Sequence, residues 1–214
     1  ILGACNEQTP DWLSFFMFTY FTDRDGKMQL ESLAQSGFDP LSRTCRFMLT
    51  EEAHHMFVGE SGVGRVIQKT CEKMNEAGIT DPYDIEAVRA LGVIDLPTIQ
   101  KKANFHYTLS LDLFGTEIST NAANAFNWGL KGRYRENTLE DDHKLVNDKY
   151  PVKEFIDNKI ITTQASAISA INMRLRDDYS NDAEGGVKRW NHIIKKHNIE
   201  FELTLPHEGF HRHI

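Results

Sequence analysis

Apolar and polar positions follow a helical period along most of the chain. Thr9 and Pro10 form a helix start signal, and the run WLSFFMFTYFTDRDGKMQLESLAQ then continues to a stop at Ser36 and Gly37. Asp39 and Pro40 open a second run, LSRTCRFMLTEEAHHMFVG. Glycines cluster at its end, at positions 59, 62 and 64, and they predict an interruption before VIQKTCEKMNEA resumes the helix.

Further helices are predicted in the remaining two thirds of the chain. One helix is expected to begin at Asp81–Pro82, and a second to run from Asp95 to about Trp128. Two more are expected over residues 153–177 and 183–197. The alternating stretch FELTL, residues 201–205, predicts an extended segment. No internal repeat or low-complexity tract divides the sequence, so we expect one all-α domain over residues 1–214.

Composition narrows the class of protein. The chain has 214 residues, of which 40% are hydrophobic, and 31 acidic residues exceed 24 basic ones. This balance argues against nucleic acid as a partner, because phosphate binding needs a concentrated positive surface. No run approaches the roughly 20 apolar residues of a membrane span, and no signal peptide opens the chain, so a cytoplasmic location is the expectation.

Cysteines and basic clusters suggest no special chemistry. Three cysteines without a C-x-x-C pair indicate reduced thiols that pack in the core. Two local basic clusters are interpreted as solvated helix faces. They are Lys131, Arg133 and Arg135, and Lys188, Arg189, Lys195 and Lys196.

The first two predicted helices should form an antiparallel hairpin around Gly37 and Phe38. Asp23 and Glu52 are equidistant from that turn, so we expect them to lie level, each about 20 Å along its helix at 1.5 Å per residue. Asp23 belongs to a stripe of mostly apolar or small residues spaced by three and four. Its members are Trp12, Phe16, Thr19, Asp23, Gly26 and Leu30.

Glu52 and His55 form a Glu-x-x-His pair on a similar stripe with Cys45, Met48 and Gly59. An aspartate, a glutamate and a histidine that converge inside a helical bundle suit a non-haem iron or manganese site. Spacing alone does not exclude the neighbouring pair Glu51 and His54 as ligands. It also does not exclude that these residues are surface charges, or form buried hydrogen bonds, without binding a metal.

Three other motifs are set aside. Glu140 and His143 repeat the Glu-x-x-His spacing, but their polar surroundings indicate a solvated helix start. DRDG, from Asp23, lacks an oxygen ligand where a calcium loop needs one. GESGVGR, from Gly59, lacks the Lys-Ser/Thr of a phosphate loop, so its glycines indicate a helix break or close packing of helices.

Three stretches, FFMFTYFTDRDGK, FDPLSRTCRFMLTEEAHHMFVGE and KGRYRENTLEDDH, resemble the oxygenase components of benzoyl-coenzyme A 2,3-epoxidases. The resemblance implies a ferritin-like bundle in which residues 9–60 form a metal-ligand helix pair and residues 61–214 add helices. It implies that this chain is an interior piece of a longer protein, whose other helix pair carries the remaining ligands. By motif, Asp23 corresponds to an acidic iron ligand, Glu52 to a bridging carboxylate and His55 to an imidazole ligand.

The implied activity is epoxidation of the aromatic ring of benzoyl-CoA with O2 at a di-iron centre, in aerobic degradation of aromatic compounds. Electrons would come from NADPH through a separate reductase component. The resemblance assigns no catalytic residue and no coenzyme A contact. Binding the phosphates of coenzyme A needs local positive charge, for which Arg133 and Arg135 are candidates without an assigned role. A ferritin-like iron protein without oxygenase activity, and a helical domain without metal, remain the alternatives.

The aromatic residues of the first helix, Phe15, Phe16, Phe18, Tyr20 and Phe21, could shelter an aromatic substrate. A plain hydrophobic core is the preferred interpretation of this group.

Overall fold

The computed structural model describes residues 9–114, 120–132, 149–166 and 171–206. Over these residues the chain is mostly helical, with one small antiparallel sheet, which confirms the predicted fold class and is compatible with a ferritin-like bundle. The elements are α1 Trp12–Leu33, α2 Asp39–Ala77, α3 Ile85–Ala90, α4 Leu96–Leu113, α5 Thr120–Asn127, β1 Lys149–Ile156, β2 Lys159–Ser166 and α6 Ile171–Lys196.

The chain divides into two compact units. The first unit comprises Ile1–Asp23, His55–Leu109 and Asp182–Pro206, and the second comprises Arg24–His54, Ser110–Asn181 and His207–Ile214. The boundary crosses α1 and α2, which are both continuous helices. In the first unit, Tyr20, Phe21 and Trp190 are buried in an aromatic core. In the second, Leu30, Ala34 and Cys45 form a smaller hydrophobic cluster.

Helix α1 starts later than predicted. The Asp11 carboxylate accepts hydrogen bonds from the Ser14 backbone N–H, at 2.7 Å, and from the Ser14 hydroxyl, at 2.9 Å. These contacts satisfy donors that a helix start otherwise leaves unpaired. The predicted start at Thr9 and Pro10 was therefore wrong by two residues, because Asp11 supplies the cap instead.

Helix α2 runs from Asp39 to Ala77 without a break, so the predicted interruption at the glycines is wrong. The alternative, close packing of helices, is confirmed. A Cβ atom placed on Gly59 would lie 2.6 Å from the backbone nitrogen of Tyr20 and 2.9 Å from the carbonyl oxygen of Phe16. A Cβ on Gly62 would overlap the Phe16 ring. These glycines let α1 approach α2 closely within the first unit.

The two middle helices follow acidic caps. Asp81 and Pro82 form a turn, and α3 starts only after Asp84, whose carboxylate accepts the Ala87 backbone N–H at 3.1 Å. Helix α4 starts directly after Asp95, as predicted. It ends at Leu113 and α5 is a separate helix, so the single helix expected up to Trp128 is wrong. Residues 115–119 lie outside the described residues.

The helix predicted over residues 153–177 is wrong in most of its length. Strands β1 and β2 pair from Lys149 with Ser166 to Ile156 with Lys159, and α6 begins only at Ile171. Asp157 and Asn158 connect the strands with φ values of 51° and 62°, the conformation of a type I′ hairpin turn. The second predicted helix, over 183–197, lies inside α6.

Residues 201–205 form no strand; their backbone is held by side chains. The Leu203 N–H donates to the Asn191 side-chain oxygen at 2.7 Å, and the Thr204 N–H donates to that of Gln100 at 2.9 Å. This segment therefore joins α6 and α4 in the first unit without a sheet partner. None of the described helices combines the length and apolar character needed to cross a membrane.

Candidate metal site

The structure brings together the three residues predicted as ligands. Asp23 on α1 and Glu52 and His55 on α2 each offer one ligand atom, and these atoms all lie within 4.8 Å of one another. Oδ2 of Asp23 lies 3.6 Å from Nδ1 of His55. Asp23 and Glu52 are partly buried and His55 is exposed.

Local structure determines this grouping. Asp23 and His55 both belong to the first unit, where Gly59, one turn beyond His55, permits the close approach of α1. Glu52 precedes His55 by three residues on the same continuous helix, so its position beside His55 follows from helix geometry.

The observed facing pairs differ from the predicted ones by about one turn. Asp23 faces His55. Within the second unit Gly26 faces Glu52, since a Cβ on Gly26 would lie 3.6 Å from Glu52 Oε1. Helical side chains lean toward the N-terminus of their own helix, which carries Asp23 toward His55 and Glu52 toward Gly26 in an antiparallel pair. The side chains still meet, although Asp23 and Glu52 are not directly opposite.

The competing pair, Glu51 and His54, lies outside this group. Both residues are exposed, and neither joins the group that contains Asp23. Among the described residues the Asp23, Glu52 and His55 group is the one candidate cluster of three metal-binding side chains. Glu140 and His143 lie outside the described residues.

Electrostatics favour a cation at the group. Burial raises the pKa of Asp23 above its ordinary value, and the nearby His55 opposes this shift. A carboxylate in such surroundings is stabilised in its charged form by a positive ion. Two carboxylates and one imidazole are donors that suit Fe(II), Fe(III) or Mn(II), so the residues present fit the implied metal.

Sequence reasoning did not place Gly26 beside Glu52. Gly26 belongs to the predicted Asp23 stripe, and a Cβ added to it would make an ordinary contact of 3.6 Å with Glu52 Oε1. The sequence signal for this position was a glycine in the interior of a predicted helix, on the face that carries Asp23.

The aromatic residues of α1 divide into two groups. Tyr20 and Phe21 are fully buried, as the core interpretation predicts. Phe15 and Phe18 are 40% and 42% exposed, so that interpretation is wrong for them. These two side chains are available for contact with another molecule or segment.

The basic residues also differ from the expectation. The Lys131 ammonium donates to the side-chain oxygen of Gln29 at 2.7 Å, and burial lowers its pKa, while nearby Asp25 opposes that shift. Lys131 is therefore not solvated, contrary to the prediction. Arg133 and Arg135 lie outside the described residues.

The second basic cluster lies at the surface of α6. Lys188 forms an ion pair with Glu184, and Arg189 forms one with Glu60. Lys195 and Lys196 are exposed.

Comparison with known proteins gives one informative result. No protein-family model matches the chain. The chain is 61% identical, over all 214 residues, to benzoyl-CoA oxygenase component B of Aromatoleum evansii. The predicted resemblance is confirmed. The chain spans 45% of the length of that relative.

Proposed function

We propose that this chain is part of an oxygenase component that acts on benzoyl-CoA, and that Asp23, Glu52 and His55 are iron ligands. The proposal is supported by the 61% identity along the whole chain and, above all, by three ligand atoms within 4.8 Å of one another. Such a convergence of two carboxylates and an imidazole is expensive unless the charges are compensated, and a bound cation compensates them.

Each side chain has a distinct part in this proposal. The Asp23 carboxylate offers a terminal ligand from α1, and His55 offers a neutral imidazole nitrogen. Glu52 has two carboxylate oxygens, so it is suited to bridge two metal ions. Bound iron would supply the electrons that O2 needs to react with a closed-shell aromatic ring.

The overall reaction consumes benzoyl-CoA, O2, NADPH and one proton, and it yields the ring epoxide, water and NADP+. The reducing equivalents arrive through a separate reductase component. One oxygen atom is inserted across the ring and the other leaves as water, so two electrons from NADPH balance the reaction. A ferritin-like iron protein would use the same ligands without forming the epoxide.

Iron binding tests the ligand assignment directly. We expect Fe(II), added under argon, to bind the chain at well below two ions per chain, because the described ligands make up half of a di-iron set. Asp23→Asn, Glu52→Gln and His55→Gln should each remove this binding. Glu51→Gln and His54→Gln are matched controls on the same helix and should bind as the wild type does.

Two outcomes separate the alternatives. Two tightly held irons in a single chain would contradict the proposal that the chain carries half of the metal site. Equal Fe(II) binding by the ligand variants and their controls would contradict the assignment of Asp23, Glu52 and His55 as ligands. Epoxide formation from benzoyl-CoA, NADPH and O2 with a reductase distinguishes the oxygenase from an iron protein without that activity.

A further inference from the structure

We infer that a groove on the first unit binds an arginine side chain from a basic segment of a partner protein. The groove lies between the turn that precedes α3 and the segment that follows α6, and all of the residues that line it belong to the first unit. The inference does not depend on the proposed function, because it uses none of Asp23, Glu52 and His55.

The groove has two parts, which share Tyr83 and Glu200. The first part has a volume of about 490 Å³ and the second a volume of about 610 Å³. Most of the residues that line them are exposed, so both parts are open to solvent. Sites for small molecules usually enclose most of their ligand. An open groove in two connected parts instead suits a segment of another protein.

An exposed aromatic ring lies where the two parts meet. The Tyr83 side chain is 66% exposed, and its ring centroid lies 5.6 Å from that of Phe201. The face of an aromatic ring attracts a cation, and the planar guanidinium of arginine also stacks on it. Tyr83 therefore offers the flat surface that an arginine side chain would cover.

Carboxylates line the groove beside this ring. Asp81 and Glu200 line the first part, and Glu200 and Glu202 line the second. Of the described residues that line the groove, Lys195 alone is positively charged, so three carboxylates stand against one ammonium group. Within the described part of the chain, neither Glu200 nor Glu202 forms an ion pair. A guanidinium can donate two parallel hydrogen bonds to such a carboxylate, which favours arginine over lysine.

Both walls of the groove are held in place before any partner binds. The Asp81 carboxylate accepts the Tyr83 backbone N–H at 2.8 Å. On the other wall, the Leu203 N–H donates to the Asn191 side-chain oxygen at 2.7 Å, and the Asn191 side-chain nitrogen donates to the Leu203 carbonyl oxygen at 2.8 Å. A site that is already ordered loses little conformational entropy on binding.

The groove is remote from the candidate metal site. It begins just beyond Ala77, where α2 ends, and His55 lies 22 residues earlier on that helix, roughly 33 Å away at 1.5 Å per residue. A partner bound in the groove should therefore neither require nor prevent metal binding.

Amide NMR titration of the isotope-labelled 214-residue chain tests the inference. The probe is a short glycine peptide that carries two arginines, and the matched probe carries citrulline, which keeps the shape of arginine but has no charge. We expect chemical-shift changes at residues 80–84 and 199–203 with the arginine peptide and none with the citrulline peptide. The affinity should fall as salt is added, because the interacting charges are exposed.

Two pairs of variants locate the contact. Tyr83→Leu and Glu200→Gln should each weaken binding of the arginine peptide by about threefold or more, as expected for cation contacts at a surface. Tyr83→Phe keeps the ring and should bind as the wild type does. Phe57→Leu and Glu86→Gln are the controls, because Phe57 is 70% exposed, Glu86 is also exposed, and neither lines the groove.

The other outcomes overturn the inference. They are an absence of shifts at the groove, equal shifts with the citrulline peptide, and equal weakening by Glu86→Gln or Phe57→Leu, which would show attraction to the whole acidic surface. A chelator should leave peptide binding unchanged, so a failure of the iron-ligand assignment is distinguishable from a failure here. Far-UV circular dichroism verifies that each variant is folded.

Discussion

Gly59 is the residue whose replacement most directly tests the packing that supports the candidate site. A Cβ at this position would lie 2.6 Å from the Tyr20 backbone nitrogen, and 2.9 Å from the Phe16 carbonyl oxygen and the Tyr20 Cα. These atoms belong to the backbone of α1, so a side-chain rotation cannot relieve the overlap. Since ordinary contacts are about 3.5–4.0 Å, α1 and α2 must separate by roughly 1 Å in Gly59→Ala.

The energetic cost follows from two opposing effects. Overpacking of this size costs about 1–3 kcal/mol, while replacing a glycine inside a helix by alanine gains about 1 kcal/mol. We therefore expect Gly59→Ala to lower the free energy of unfolding by up to about 2 kcal/mol, and not to raise it. The separation also moves Asp23 away from His55, because Tyr20 and Gly59 are each about one turn from these ligands. Fe(II) affinity should fall by about tenfold.

Gly185→Ala is a matched control in the middle of α6. Its Cβ would meet only the end of the Arg189 side chain, at 3.5 Å, so the helix-propensity gain should appear without strain. Urea unfolding of the two variants and the wild type measures the difference, with unchanged m-values as the test of two-state behaviour. If Gly59→Ala stabilised the chain as much as Gly185→Ala does, and bound Fe(II) normally, the close-packing argument would be refuted.

Three further predictions concern other parts of the first unit. Burial, with a contribution from Lys102, lowers the pKa of His106 from 6.5 to about 4. Between pH 6.5 and 4 the His106 imidazole therefore takes up a proton in the unfolded chain but not in the folded chain. Stability should fall by about 3 kcal/mol as pH drops from 6.5 to 4; the difference between wild type and His106→Asn in urea unfolding isolates this contribution, and parallel pH profiles would contradict it. Asp95→Ala removes the carboxylate that accepts the Thr98 N–H at 2.7 Å and the Arg89 Nε–H at 2.7 Å. It should lower the free energy of unfolding by about 2–3 kcal/mol, measured by thermal or urea unfolding. A loss below about 0.5 kcal/mol, which is typical of a surface substitution, would argue against the cap. Tyr20→Phe deletes the 2.9 Å hydrogen bond from the Tyr20 hydroxyl to the Ala183 carbonyl oxygen. It should lower the free energy of unfolding by about 1 kcal/mol and leave Fe(II) binding unchanged. Lost Fe(II) binding would show that the hydroxyl also positions the ligands.

Local signals predicted the elements whose cause is local. The start of α2 at Asp39 and that of α4 after Asp95 were predicted because caps act within one turn. The hairpin was also predictable, since Asp157 and Asn158 stand between β-branched residues and suit a two-residue turn. It was missed because its strands lack clear alternation: β2 is exposed or partly exposed along its whole length.

The sequence alone predicted the helical class, and its period of 3.6 residues placed Glu52 and His55 on one face of a helix. Spacing left Glu51 and His54 as an alternative, and the family resemblance selected Asp23, Glu52 and His55 as the candidate ligands. The tertiary structure decided which residues face one another. It showed that Gly59 and Gly62 bring helices together where the sequence suggested a break, and that Gly26, not Asp23, lies opposite Glu52. The physical reason is that backbone period and caps act over a few residues, whereas the distance between two helices depends on every side chain, or missing side chain, between them.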